Sequence, residues 1–386
     1  MQEGTDKGRK NPAAIYLAFF TIGLLEASFP LLNRHLNYFI HDEYYVRLLS
    51  LAGLLFLSFF SVLFSRMKPG KNINMWLALL ILVPGMILSL LSSKSTGVLF
   101  AIAFFLLAGS LFVQVSGLLS LIPPVEKRVE TEKIARIYLF NTTGLIAGLS
   151  LVPLSAELGI PFSRLLISIS FFFLLLSMIF LYLFPYPAAV QIESDEGNRF
   201  DVRQLISNKT LILMLGGIAV YTGAEFCLMG LLPFYFSETF GIRIMQMIIP
   251  GAGLFMMSFF IGRITGGILL RKFGAGNIFL FSGILAILGI SALYIGQKHL
   301  SLAATMMIGL GTANMLPMMI SLSMQMIRKD RKWLVGMIVG TMPLGAFVPV
   351  LMWAMADSIS IGMSITIPVV CLFYITWIGI VLKRKI

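Results

Sequence analysis

An all-α membrane protein, with twelve transmembrane helices in two pseudo-symmetric six-helix bundles, is the fold predicted by three features of this sequence. They are its composition, its count of apolar runs, and landmarks that recur about 200 residues apart. Of 386 residues, 58% are AVILMFWYC and only 12% are DEKR, and the mean hydropathy is +0.93. A soluble globule needs about a quarter of its residues charged to cover its surface, so that class is excluded. Twelve spans of roughly 20 residues consume about 240, which leaves no room for a sizeable soluble domain.

The first six runs fall near 12 to 33, 46 to 65, 73 to 92, 98 to 122, 138 to 156 and 163 to 184. Span one follows a basic stretch, but it is too long and lacks the small-residue cleavage site of a signal peptide, so it reads as a retained helix. Span two ends in a basic turn at Arg66, and span three follows it. Span four sets Ser110, Gln114 and Gly117 on one face, and span five aligns Asn141 with Gly144 and Gly148. After span six comes the longest polar stretch, 185 to 209, opening with Pro185 and Pro187 and holding Glu193, Asp195 and Glu196. It reads as a cytoplasmic linker between an N-terminal bundle, 1–184, and a C-terminal bundle, 210–386.

The second six runs fall near 210 to 236, 245 to 269, 277 to 296, 301 to 327, 335 to 356 and 362 to 382. Span seven carries Tyr221 and Glu225, span eight Arg263, span ten Asn314 and span eleven Trp353. Gly144 and Gly148, Gly262 and Gly266, and Gly336 and Gly340 each follow the GxxxG spacing that lets helix backbones approach closely. Pro250, Pro317, Pro343 and Pro349 lie within spans and can bend a helix and free a carbonyl.

Charge sets the orientation. With the N-terminus cytoplasmic, 22 of the 29 Lys and Arg residues fall in the tails and even-numbered connections, six fall on the other side, and Arg263 lies within a span. That asymmetry predicts both tails inside. It also explains the net charge of +12 as topology rather than a nucleic-acid footprint.

Glu26 and Glu225, near the midpoints of spans one and seven, are 199 residues apart, and the basic turns at Arg66 and Arg271 are 205 apart. The second six helices therefore repeat the first, a plan in which secondary carriers bind their solute at mid-membrane between the halves. A mid-bilayer carboxyl costs at least ~2.5 kcal/mol and normally faces a cavity or a partner. Glu26 and Glu225 are thus candidates to take up a proton in step with solute binding; the alternative is a protonated Glu hydrogen-bonded to a neighbouring helix. Gln114, Asn141 and Tyr221, and less directly Asn314 and Trp353, are candidate solute ligands, since amides and a phenol can each donate and accept toward hydroxyls. For each, an interhelical bond is the competing reading. Arg263 is expected to snorkel to the membrane surface and to serve gating or anchoring. Cys227 and Cys371 read as packing residues, with no thiol metal site.

Several of these residues sit in segments that resemble the major facilitator superfamily, and within it the fucose:proton symporter group. YTGAE, Tyr221 to Glu225, is similar to that group's span-seven pattern. SFFIGRITGGILLRKF, Ser258 to Phe273, is similar to its span-eight segment. FNTTGLIAG, Phe140 to Gly148, resembles its span-five pattern and places Asn141 on the asparagine implicated there in sugar binding. The resemblance implies the major facilitator fold, alternating access and proton-coupled sugar symport. The chain departs from the group where Gln114 replaces a span-four acid and where Pro30 stands at the place of its span-one acid, so coupling is assigned to Glu26 and Glu225. In the superfamily's loop signature Ser65 and Arg271 each replace an Asp; Arg66, Arg263 and Arg271 are the gating candidates, in a lock between halves that is weaker or differently built.

An enzyme is disfavoured. His35, His41 and His299 fall in external connections, and neither HExxH nor a phosphate-binding GxxxxGK[ST] loop occurs. The expected function is proton-gradient-driven symport of a small hydroxylated solute such as a sugar. It would need no cofactor and no metal, and would be carried out by a monomer in a bacterial inner membrane. The rival is proton-driven efflux of amphiphilic compounds, which the abundance of Phe and Met would suit.

Overall fold

The computed structural model describes residues 13–27, 55–65, 73–91, 96–119, 127–160, 162–183, 208–241, 253–326 and 331–383. Predicted features at Pro30, His35, His41, Arg66 and Pro250, and the linker 185–207, lie outside the described residues. All described regular structure is helical. The first group is α1 (Ala13–Glu26), α2 (Leu55–Ser65), α3 (Ile73–Leu91), α4 (Thr96–Leu119), α5 (Lys127–Glu157) and α6 (Phe162–Leu183). The second is α7 (Lys209–Phe240), α8 (Leu254–Phe273), α9 (Ala275–Leu293), α10 (Lys298–Thr312), α11 (Met315–Met326), α12 (Arg331–Thr341), α13 (Phe347–Ser358), α14 (Ile361–Ser364) and α15 (Thr366–Lys383).

Among the described residues, seven helical segments are long and apolar enough to cross a membrane and five shorter apolar helices accompany them. Each of the twelve predicted runs thus holds a helix. Three runs are interrupted, run twelve at Ile365 between α14 and α15. Run ten divides into α10 and α11 at Ala313 and Asn314, and run eleven passes from α12 to α13 through a 3-10 segment, Met342–Ala346. In these two the cause is proline: Pro317 and Pro343 have no N–H to donate to the carbonyl four residues earlier. Runs five and seven are longer than predicted, at 31 and 32 residues. The Asn208 side chain accepts from the Leu211 N–H at 3.1 Å to cap the start of α7, and Gly241, at φ 65°, ends it in the left-handed conformation.

Glycine sets the closest approaches. A methyl group on Gly23 of α1 would lie 1.8 Å from the Asn141 carbonyl oxygen, and one on Gly144 of α5 would lie 2.0 Å from that of Phe20. The two backbones therefore touch, and this contact carries Asn141 to the end of α1 where Glu26 sits. The other GxxxG pairs serve helix contacts too. Gly262 and Gly266 face Ala313 and Asn314 at the break, and Gly336 and Gly340 of α12 face Ser65 and Ser58 of α2.

Contacts join α1, α3, α4, α5 and α6 to one another, and α7 to α11, α12, α13 and α15. Between these sets, α5 touches α8 and α11, and α4 touches α12. Thr131 of α5 and Ser321 of α11 pair their hydroxyls at 2.6 Å, and Gln325 donates its amide to Ser321 at 3.1 Å.

Gly144→Ala is expected to destabilise the protein by at least about 1–3 kcal/mol, because the added methyl meets backbone that cannot yield. Gly267→Ala, with nothing within 4 Å of the added carbon, is expected to be neutral or stabilising by up to about 1 kcal/mol. Thermal unfolding of the detergent-solubilised variants checks both.

Candidate functional site

A cavity of about 90 Å³ lies where α1, α4 and α5 meet α7, α8, α11 and the 3-10 segment. At about 10–15 Å³ for each water, it holds several. Its polar wall is Glu26, Ser110, Gln114, Tyr138, Asn141, Thr222, Glu225 and Arg263, and its apolar wall includes Leu107, Leu111, Phe226, Met229, Leu316 and Met342.

Both predicted carboxyls are on this cavity, each from its own set of helices. Glu26, at the end of α1, accepts a 2.9 Å bond from the Asn141 side-chain amide, an arrangement that follows from the glycine contact between α1 and α5. Glu225 faces it from α7, and the two carboxyls lie within electrostatic reach of each other and of Arg263.

Gln114 occupies the same wall from α4. The Tyr138 hydroxyl donates to its Oε1 at 3.2 Å, so its amide nitrogen is left as a donor. One turn earlier on α4, the buried Ser110 hydroxyl has no hydrogen-bond partner. Ser61, Ser116 and Ser177 each bond the carbonyl four residues back, whereas Ser110 shares its unpaired state with Ser170 and Ser323 and differs from these two in lining the cavity. Ser110 is thus a polar group on the cavity wall whose bond is unmade.

Arg263 does not snorkel. It is 4% exposed and turns into the bundle. Its Nε donates to the Ala313 carbonyl at 3.1 Å, and its Nη1 donates to the Tyr138 carbonyl and the Thr142 hydroxyl on α5. The guanidinium stands 4.5 Å over the Phe259 ring and 5.5 Å from that of Tyr138. A planar fork with several donors can satisfy two helices at once, which offsets the cost of withdrawing its charge from the surface.

Three predicted ligands sit elsewhere. Tyr221 does not line the cavity but is buried beside it, in side-chain hydrogen-bond contact with Glu225, and its hydroxyl donates to the Thr312 carbonyl at 2.8 Å. Asn314 gives its amide to the Gly262 carbonyl at 2.7 Å and fills the space above Gly266. Trp353 packs edge-on against Phe234, and its indole nitrogen is buried without a partner. Of the gating candidates, Arg271 lies on α8 near its end and Arg66 is outside the described residues. Sequence reasoning missed Tyr138 and Thr142; their spacing around Asn141 on one helix was the available signal. Among the described residues, no group of three or more His, Cys, Asp or Glu is placed to hold a metal.

Comparison with known proteins places this arrangement. No family model matches the chain. A glucose/galactose transporter of Brucella abortus is 24% identical over 190 residues, which are 49% of this chain and 45% of that protein. The aligned stretch therefore spans about half the length of that curated relative. Among solved structures, the major facilitator superfamily transporter FucP in the outward conformation superposes with a TM-score of 0.73 at 18% identity, covering 95% of this chain and 97% of FucP. A variant of the E. coli fucose:proton symporter FucP gives 0.74 at 17% identity with the same coverage. The human organic anion transporter TETRAN gives 0.68 at 13% identity, covering 96% of this chain and 99% of that one. The chain has the fold of these integral membrane transporters, and that likeness of fold covers nearly its whole length.

Tyr221→Phe is expected to lower unfolding stability by about 1–3 kcal/mol, because the Thr312 carbonyl loses its donor. Ser110→Ala, which breaks no bond within the protein, is expected to stay within about 0.5 kcal/mol of the parent. Denaturation followed by intrinsic fluorescence tests the pair.

Proposed function

We propose that this chain is a secondary active transporter that moves a small hydroxylated solute, such as a sugar, together with protons. Its two six-helix bundles, residues 1–184 and 210–386 joined by the linker 185–209, rock about the central cavity. It acts as a monomer in a bacterial inner membrane, with both termini cytoplasmic. The observation that carries this reading is the cavity itself: it joins a carboxyl from each set of helices to amide and hydroxyl groups in the middle of an otherwise apolar bundle.

Charge explains why two acids belong there. Carboxylates in a low-dielectric cavity repel one another and are costly to hold ionised, so adding protons and binding a neutral solute both favour closure over the cavity. Glu26 and Glu225 are the proton carriers. Asn141, which holds Glu26, and Gln114, whose amide Tyr138 turns toward the cavity, are the solute ligands, and Ser110 supplies a hydroxyl for one of the solute's oxygens. Tyr221, Asn314 and Trp353 act on the solute through the helices they hold. Arg263, Arg66 and Arg271 belong to the gating apparatus. The similarity to glucose/galactose and fucose transporters agrees with a hexose as the first solute to test.

A second reading, proton-driven export of an amphiphile, draws on one observation, the leucine, methionine and phenylalanine residues lining much of the same cavity. Uptake of labelled hexoses into proteoliposomes, with and without an inward proton gradient, decides between them. Symport requires accumulation that collapses with the gradient. Transport of amphiphiles without hexose flux selects the second reading.

In Glu225→Gln, gradient-driven accumulation is expected to fall at least about tenfold while exchange at equal concentrations stays within about twofold. Unchanged accumulation removes Glu225 from coupling. Ser110→Ala is expected to raise the half-saturation concentration about 2- to 10-fold, the equivalent of one lost hydrogen bond. An unaltered value returns Ser110 to the packing of α4.

A further inference from the structure

At the break between α10 and α11, two neighbouring carbonyls, those of Thr312 and Ala313, accept from side chains of the cavity region. Pro317 stands four residues after Ala313 and has no N–H, so the Ala313 carbonyl cannot be satisfied within the helix. Arg263 takes it with Nε, and Tyr221, one turn before Glu225 on α7, takes the Thr312 carbonyl. The same guanidinium reaches α5 through the Tyr138 carbonyl and Thr142 hydroxyl. One side chain thereby spans three elements: its own helix, the broken one, and a helix of the other set.

We infer that Arg263 is a positioning residue that ties the two cavity acids to the proline-opened break at Ala313 and Asn314, and through it controls the contact between α8, α10–α11 and α5. Its hydrogen bonds in the structure go to neutral oxygens. Toward a carboxylate the guanidinium would gain the attraction of opposite charges in a low-dielectric cavity, which its present bonds to neutral oxygens lack, so an ionised acid in the cavity draws the guanidinium away from the break. A protonated acid leaves it there. The titratable groups within its electrostatic reach are Glu26 on α1, Glu225 and Tyr221 on α7 and Tyr138 on α5. The coupling step rests on the proposed proton role of the acids, whereas the link between Arg263 and the break does not.

Backbone hydrogen exchange of residues 313–320 in the purified full-length protein, with no solute added, tests this. In Arg263→Lys the charge remains and the fork is lost, so exchange there is expected to accelerate at least tenfold. Adding Pro317→Ala, which supplies an N–H to the Ala313 carbonyl, should bring the Arg263→Lys rate back to within about twofold of the parent. Pro317→Ala alone should slow exchange several-fold, which keeps the test open should Arg263→Lys fail to fold. The double variant Glu26→Gln with Glu225→Gln, permanently neutral, should also slow it. An Arg263→Lys variant no faster than the parent, or one that Pro317→Ala does not restore, overturns the inference. So does Pro317→Ala alone at the parental rate, or an unchanged rate in the double Gln variant. Absence of hexose flux in the parent would instead count against the proposed function and leave these rates to stand on their own.

Discussion

The cost of placing polar groups in hydrocarbon governs this molecule. Each carboxyl, amide or guanidinium that enters the membrane interior needs a partner, a cavity, or both. Glu26 and Asn141 meet because α1 and α5 are stripped to glycine where they cross. Arg263 stays buried because carbonyls, a hydroxyl and two aromatic faces surround it. The helix break is tolerated because Arg263 replaces the donor that Pro317 cannot supply to Ala313 and Tyr221 donates to the adjoining Thr312 carbonyl. The polar interior forms a connected set, and moving one member asks the others to find new partners.

That connectedness suits a carrier, whose cavity must exchange one set of hydrogen bonds for another in each cycle. Gln114 held by Tyr138, and Asn141 held by Glu26, are donors with fixed orientation. Fixed donors lower the entropy lost when a hydroxylated solute arrives. Ser110, whose hydroxyl has no hydrogen-bond partner, is the contrasting element on the same wall.

How much of this could be read from the sequence follows from which interactions are local. Helix positions are legible, since apolar run length is set by the bilayer, and so is the placing of Glu26 and Glu225 beside a cavity, since an acid in such a run is costly unless it meets one or a partner. Gln114 and Asn141 can be placed on the cavity wall from the sequence because they share a helical face with small residues. Tyr221 and Asn314 looked identical to them by composition, yet they serve a proline-opened break whose partners lie 91 and 52 residues away. No periodicity reports a contact of that kind. Arg263 was misplaced for the same reason: its distance from a helix end suggested the surface, whereas its location depends on carbonyls contributed by α5 and α10–α11.

Where α5 meets α11, Thr131, Ser321 and Gln325 share hydrogen bonds, and where α2 meets α12 a serine sits against a glycine. Hydroxyls and an amide can trade one another for water at little net enthalpy, and dissolved salt barely screens them. These hydroxyl and amide contacts part by becoming wet, so their strength follows water activity and osmolyte content.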